Sequence, residues 1–361
     1  MGICNQPKNK IQKINNIKED SDYILPIEYS IRKKISLDYT MDSNFIGKGG
    51  SGEVYIARNK KGEKFAIKTI NKLHIKYKES IISEVKISKN VNHKHIVKCY
   101  GVYEDLKTIS FVLELIEGGD LFDFIIKFPG KHLEEILSLE ILIQILETLN
   151  YLHNILKICH RDIKLENFLV SIINNKPKIK LIDFGLSCYI PKNNFMNEFV
   201  GTLHYQAPEV LEREKYSKMI DLWSTGILLY IMLLGYPPFN NEDRNKLEEQ
   251  ILYDNIDFDQ IYNPDIRNLC QGLLEKHPDF RLNAIKALNQ AYDIYEKNCN
   301  DDVWIKIRKD FKRIDNQNLG YVTFEQVKFF YKKFNINFDK YKGNNILFLS
   351  DFQDLIHGIL Y

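Results

Sequence analysis

Little in this sequence points to the cell exterior or to a membrane interior. The six cysteines among 361 residues (Cys4, Cys99, Cys159, Cys188, Cys270 and Cys299) are scattered, with no C-x-x-C pair. That pattern excludes a disulfide framework and a cysteine-built zinc site, and fits reduced thiols in the cytoplasm. No apolar run approaches the ~20 residues that span a bilayer, and the N-terminus lacks the apolar stretch of a secretory signal. Charge of one sign is missing too. Fifty Lys and Arg against 48 Asp and Glu leave a net charge of +2, and no dense basic run interleaved with aromatics marks a nucleic-acid surface. There is no repeat at solenoid spacing. What remains is a soluble globular composition, 44% apolar and 27% charged, with length for roughly two to three domains.

The texture changes along the chain. Residues 1–38 are polar and broken, and are expected to form a flexible N-terminal segment. Residues 39–292 pass from short β-like runs to long helical patterns. Residues 293–361 read as short amphipathic helices separated by loops rich in Asn, Gly and Asp. In FIGKGGSGEVYIAR, residues 45–58, Gly47, Gly49 and Gly52 lie between two strand-like runs. Glycines let successive backbone N–H groups approach a string of phosphates. The pattern alone also suits a tight hairpin or a dinucleotide loop. A dinucleotide fold would continue into a helix, whereas EVYIAR continues as strand. The next strand, KFAIK, ends on Lys68, and Glu84 follows sixteen residues later in the helical segment SIISEVKISKN. Such a pair would hold an ammonium against the α- and β-phosphates of a nucleotide.

Two further stretches decide the reading. CHRDIKLENFLV, residues 159–170, holds His160-Arg161-Asp162 with Asn167 five residues past the aspartate; LIDFGLS, residues 181–187, holds Asp183-Phe184-Gly185. Asp-Phe-Gly alone is an ordinary turn after a buried strand. Behind H-R-D-x-x-x-x-N, with the glycine loop and lysine upstream, the set resembles a eukaryotic protein kinase. The resemblance implies an α+β, bilobal fold, with a small β-rich lobe and a mainly helical one, over residues 39–292. It makes Asp162 the base for the substrate hydroxyl, and Lys164 the cation that steadies the γ-phosphate of ATP and favours serine/threonine specificity. Asn167 and Asp183 become Mg²⁺ ligands, and Lys68 with Glu84 the phosphate clamp. ATP would lie under Ile46, Gly47, Lys48, Gly49, Gly50, Ser51, Gly52 and Val54, with Ala66, Leu113, Glu114, Ile116 and Leu169 around adenine. Asp120 and Glu166 match acidic positions that contact ribose or select a basic residue three before the phosphoacceptor.

Glu209 of Ala-Pro-Glu and Arg281 are expected as a buried structural ion pair, and Asp221 and Trp223 as scaffold. Leu165, Leu203-His204 and His277 depart from the kinase pattern, but none removes a catalytic group. Between Ser187 and Thr202 the activation segment has no serine or threonine. Arg161, which would receive a loop phosphate, is therefore expected to meet a carboxylate such as Glu198.

The motifs together are most similar to the calcium-dependent protein kinases, which join a kinase domain to EF-hands. Here FKRIDNQNLGYVTFEQV, residues 311–327, has an EF-hand outline. Numbered from Asp315, it has glycine at position six (Gly320) and an apolar residue at eight (Val322). Leu319 at position five brings no side-chain oxygen, and Gln326 at twelve replaces a bidentate glutamate. The ligand set argues against Ca²⁺ at Asp315–Gln326, and the region is expected to be a degenerate, all-helical EF-hand remnant packed on the kinase. Apolar stripes Trp304–Ile307–Phe311–Ile314 and Val327–Phe330–Phe334 support its helices, and KYKGNNILFLSDFQDL reads as a second, shortened hand. Trp304–Arg313 could alternatively be a calmodulin target. Met1-Gly2-Ile3-Cys4, followed by Lys8, Lys10, Lys13 and Lys18, resembles an acylation site beside a basic patch, which implies membrane association of a cytoplasmic protein. The competing functional class is a calcium- or calmodulin-responsive adaptor that uses the kinase fold to bind partners.

Overall fold

The computed structural model describes residues 23–49, 52–75, 77–298, 302–331 and 346–360. Gly2, Cys4, Lys8, Lys10, Lys13, Lys18, Gly50, Ser51, Phe334 and the start of the second hand, 340–345, lie outside them. The chain divides into two compact units, Met1–Gly118 with Ile182–Cys188, and Gly119–Leu181 with Tyr189–Tyr361.

In the first unit, β1 (Tyr39–Gly49), β2 (Gly52–Asn59), β3 (Lys64–Asn71), β4 (Cys99–Glu104) and β5 (Thr108–Leu113) form one sheet in the order β1-β2-β3-β5-β4. Neighbours are antiparallel, and Lys68 pairs with Val54 on one side and Phe111 on the other. Ala66, Ile67 and Lys68 are all buried, so both faces of β3 are covered. The β1–β2 hairpin pairs Gly49 with Gly52. Gly52 has φ of 137°, and a Cβ there would lie 2.5 Å from the Thr69 carbonyl oxygen, so only glycine fits. The helix α1 (Lys78–Asn90) buries Ile81, Glu84, Val85 and Ser88, the i, i+3, i+4, i+7 spacing of one helical face.

The expected flexible segment ends earlier than residue 38. Leu25 and Ile35 are buried, in two separate clusters against the sheet. Short apolar clusters without periodicity give no signal in sequence, because their burial depends on partners far along the chain.

The second unit is mainly helical: α2 (Leu121–Ile125), α3 (Glu135–Asn150), α4 (Pro208–Leu211), α5 (Met219–Leu234), α6 (Arg244–Tyr253), α7 (Pro264–Leu273) and α8 (Ala284–Asn298). On α5, apolar residues occur on every side, and nearly the whole helix is buried, as a central helix must be. A hairpin, β6 (Phe168–Ile173) and β7 (Lys176–Leu181), turns through Asn174 and Asn175, both at positive φ. Asparagine tolerates that conformation better than most residues.

Beyond it come α9 (Asp302–Ile314), β8 (Val322–Thr323), α10 (Phe324–Tyr331), β9 (Ile346–Leu347) and α11 (Leu349–Leu360). The first stripe is buried as expected: Trp304, Ile307, Phe311 and Ile314 are all under 9% exposed. Val327 is buried and Phe330 partly so. Val322 pairs with Leu347 and Thr323 with Ile346, so the second-hand segment meets the first loop through a short antiparallel ribbon. The expected border at 292/293 falls inside α8, whose buried face runs from Ala284 to Tyr295. The helix itself runs on to Asn298.

These terminal helices are tied to α3 and α8 by buried polar groups. Glu147 on α3, fully buried, accepts hydrogen bonds from the Tyr292 hydroxyl and from the hydroxyl and N–H of Ser350. Arg308 on α9 pairs with Asp293 and Glu296 on α8 and lies 4.7 Å from the Tyr292 ring. Asn150 Nδ2 donates to the Leu319 carbonyl at 3.0 Å, and Asn289 Nδ2 to Asn318 Oδ1 at 3.3 Å.

Candidate active site

In the first unit the structure brings Lys68, Glu84 and Asp183 together. Lys68 Nζ lies 2.7 Å from Glu84 Oε1 and 3.0 Å from Asp183 Oδ1, and both Lys68 and Glu84 are buried. Burial works against the ammonium, but the two carboxylates outweigh it and hold Lys68 charged, above its ordinary range. Strand register aims Lys68 from β3, while the inward face of α1 aims Glu84. Asp183 stands at φ of 63°, a conformation costly for a non-glycine residue and typical of functional sites. Its Oδ1 also accepts the Gly185 N–H at 3.0 Å. A Cβ on Gly185 would crowd that oxygen at 3.1 Å, which explains the glycine.

Ile46, Gly47, Lys48, Gly49, Gly52, Val54, Ala66, Leu113, Glu114 and Ile116 belong to this unit; Ile46 is 53% exposed and Ala66 buried. The Glu114 N–H is bonded to the Lys98 carbonyl at 2.9 Å. Asp120, Glu166 and Leu169 belong to the second unit, where Asp120 caps α2 by accepting the Asp123 N–H at 2.7 Å and Glu166 is exposed.

The second unit assembles the rest around Asp162. Its Oδ2 is 2.8 Å from Lys164 Nζ and accepts from Asn167 Nδ2 at 3.0 Å; its Oδ1 accepts from the Thr202 hydroxyl at 2.9 Å. Lys164 Nζ also lies 3.0 Å from Thr202 Oγ1. Asn167 Nδ2 donates in addition to the Asp162 carbonyl at 2.7 Å, which fixes the amide so that its oxygen is turned away from these acceptors. Asn167 in the second unit offers an amide oxygen and Asp183 in the first a carboxylate, each a donor type that suits Mg²⁺. Among the described residues no group of three or more His, Cys, Asp or Glu stands as a metal cluster.

Asp221, expected as scaffold, holds the loop itself. Its carboxylate accepts the N–H groups of His160 and Arg161, each at 2.8 Å, and meets His153 Nε2 at 2.7 Å. Burial pushes this carboxyl upward, but the His153 and His160 contacts prevail and hold it below its usual range. These bonds help hold Arg161 at φ of 68° immediately before Asp162. Sequence reading missed His153, which has no motif and becomes significant only once α5 is packed beside it.

Arg161 Nη1 pairs with Glu198 Oε2, and the Tyr216 hydroxyl donates to the Glu198 carbonyl at 2.7 Å. The carboxylate expected in this place is therefore there. Arg281 and Glu209 form the expected buried pair, bidentate at 2.7 and 3.0 Å.

A protein kinase domain matches residues 40–292. The chain belongs to the protein kinase family. It is 37% identical over 267 residues to calcium-dependent protein kinase 5 of Plasmodium berghei, covering 73% of this chain and 47% of that protein. It is 33% identical over 337 residues to calcium-dependent protein kinase 33 of Arabidopsis thaliana, covering 81% and 64%. With calcium-dependent protein kinase 5 of Plasmodium falciparum the identity is 35% over 300 residues, covering 81% and 50%. The chain thus spans between about half and just under two thirds of the length of these relatives.

Proposed function

We propose that this protein is an ATP- and Mg²⁺-dependent serine/threonine kinase that needs neither calcium nor a phosphate on its activation segment. The observation that carries the proposal is the arrangement around Asp162, a carboxylate held by Lys164, Asn167 and Thr202 on a loop anchored by Asp221. A substrate hydroxyl placed on that carboxylate gives up its proton to it as its oxygen bonds to the γ-phosphorus and the bond to the β-phosphate bridging oxygen breaks. Lys164 offers positive charge to the transferring group, and Lys68, kept in place by Glu84, does the same for the α- and β-phosphates. Asn167 and Asp183 would hold Mg²⁺, which neutralises phosphate charge when bound. Ile46, Gly47, Lys48, Gly49, Gly50, Ser51, Gly52, Val54, Ala66, Leu113, Glu114, Ile116 and Leu169 are the proposed nucleotide contacts.

The Arg161–Glu198 pair supports independence from loop phosphorylation, since a fixed carboxylate stands where a phosphate would supply charge. One feature supports independence from calcium: Gln326 Oε1, the side-chain oxygen at loop position twelve, is engaged with the Thr323 N–H at 2.6 Å. Asp120 and Glu166 favour substrates with a basic residue three before the phosphoacceptor. Acylation at Gly2 and Cys4 would bring this cytoplasmic enzyme to a membrane; unchanged distribution of Gly2→Ala would exclude that anchor. A peptide array scored by phosphoamino-acid analysis tests specificity: phosphoserine or phosphothreonine after upstream arginine is expected, and a proline-directed or tyrosine signal overturns it.

A further inference from the structure

A fully buried carboxylate on a sheet edge needs partners, because removing an unpaired charge from water is strongly unfavourable. Glu104, the last residue of β4, is 0% exposed. It accepts the backbone N–H of Ile24 at 2.6 Å and of Leu25 at 3.1 Å, and the Ser30 hydroxyl at 3.3 Å. Lys72 Nζ is 2.8 Å away. Three of these four partners come from residues 24–31, which precede the matched kinase domain. The same segment adds itself to the sheet: Ile31 N–H donates to the Val102 carbonyl at 2.8 Å, and Glu104 N–H to the Ile31 carbonyl at 3.0 Å.

Between these two anchor points Leu25, 2% exposed, joins the core cluster formed by Ile81 and Val85 of α1 with Ile70, Val102, Ile109 and Phe111 of the sheet. Ile81 and Val85 flank Glu84 on α1. At the far end of the helix Lys89 Nζ donates to the carbonyls of Glu28 at 3.1 Å and Tyr29 at 3.3 Å. The segment therefore touches α1 at both ends and the sheet at β4.

We propose that residues 24–31 are a positioning strap for α1, with Leu25 as its wedge and Glu104 as the built receptor that holds it. The strap sets the depth at which α1 lies on the sheet, and so keeps Glu84 within 2.7 Å of Lys68. Leu25 and Glu104 are positioning residues for phosphoryl transfer; they touch neither ATP nor substrate. This rests on the kinase reading above. Its physical basis is that a leucine-sized void under α1 is relieved by local shift of the helix, and a displaced Glu84 leaves Lys68 without its fixed partner.

The test uses the full chain with Leu25→Ala, Glu104→Ala and the volume-conserving Leu25→Met. Hydrogen exchange of α1 amides is compared with that of α5, and KM for ATP with KM for an arginine-containing serine peptide. Leu25→Ala and Glu104→Ala are expected to raise α1 exchange and KM for ATP roughly five-fold or more, with α5 exchange and peptide KM unchanged; Leu25→Met restores both. A lowered melting temperature with α1 exchange and KM for ATP unaltered overturns the strap, leaving Leu25 an ordinary core residue. Should the alanine variants fail to fold, Leu25→Val gives the same comparison at smaller amplitude. Failure of the unaltered protein to phosphorylate any peptide refutes the kinase reading instead, and the exchange measurement still decides the strap.

Discussion

Replacing Arg308 by methionine should loosen α9 without unfolding the kinase domain. Arg308 is 2% exposed, and its guanidinium is bonded to Asp293 and to Glu296, the latter at 2.9 Å. Breaking a buried pair by removing one partner costs about 3–5 kcal/mol. Here the side chains of Asp293 and Glu296 keep 54% and 25% exposure, so they regain water and the loss falls to about 2–3 kcal/mol. The guanidinium also lies 4.7 Å from the Tyr292 ring and 5.8 Å from Trp304, a further ~1 kcal/mol at a desolvated site. Methionine keeps the length of the stem, so the apolar contacts change little. The sum, about 3–4 kcal/mol, corresponds to a roughly 100- to 1000-fold faster local opening. Hydrogen exchange of α9 amides in the full chain measures it directly, with α3 as internal reference, and Arg308→Lys should fall between. A change under about three-fold in α9, or an equal change in α3, would refute the assignment of Arg308 as the fastening residue.

Glu198→Gln should lower kcat roughly five-fold, about 1 kcal/mol, by removing the charge that faces Arg161, while phosphatase treatment of the unaltered enzyme leaves its rate the same; loss of activity with phosphatase would contradict this. Calorimetric titration of the full chain with calcium should give no binding tighter than about 1 mM, and equal kinase rates in calcium and in chelator; a micromolar site would overturn it. Asp293 yields a pH test. Burial opposes its ionisation, but hydrogen bonds from Lys312 and Arg308 prevail and hold its carboxyl below the usual 3.8. A carboxyl with a folded value below its unfolded one stabilises the docked helix above 3.8 and loses that effect as pH falls through the folded value. Asp293→Asn should therefore raise α9 exchange at pH 7, and the difference should narrow below pH 3.8.

The residues gathered around Asp162 and around Lys68 were legible because their spacing is local. Asp162, Lys164 and Asn167 occupy one loop, Asp183-Phe184-Gly185 one turn, and Lys68 a strand, β3, which runs on past it to Asn71 and whose apolar neighbours show its burial. Glu84 could be paired with Lys68 across sixteen residues because one helical face carries Ile81, Glu84, Val85 and Ser88. The stripe Trp304–Ile307–Phe311–Ile314 announced α9 in the same way. Other features depend on partners that no local pattern names. Leu25 and Glu104 are 79 residues apart, and Glu147 meets Tyr292 at a separation of 145 and Ser350 at 203. A buried glutamate inside an apolar helix such as α3 reads as an anomaly until its tyrosine and serine arrive. The border set at 38 has the same cause: the partners that bury Leu25 and Ile35 lie far along the chain.

The central claim is phosphoryl transfer through Asp162. Incubating the full chain with γ-labelled ATP, Mg²⁺ and an arginine-containing serine peptide, beside Asp162→Asn, tests it most directly. Label should appear as phosphoserine with the unaltered protein and essentially vanish with Asp162→Asn, whose melting temperature stays close to that of the parent. Equal labelling by both proteins, or none by either with ATP bound, would contradict the account.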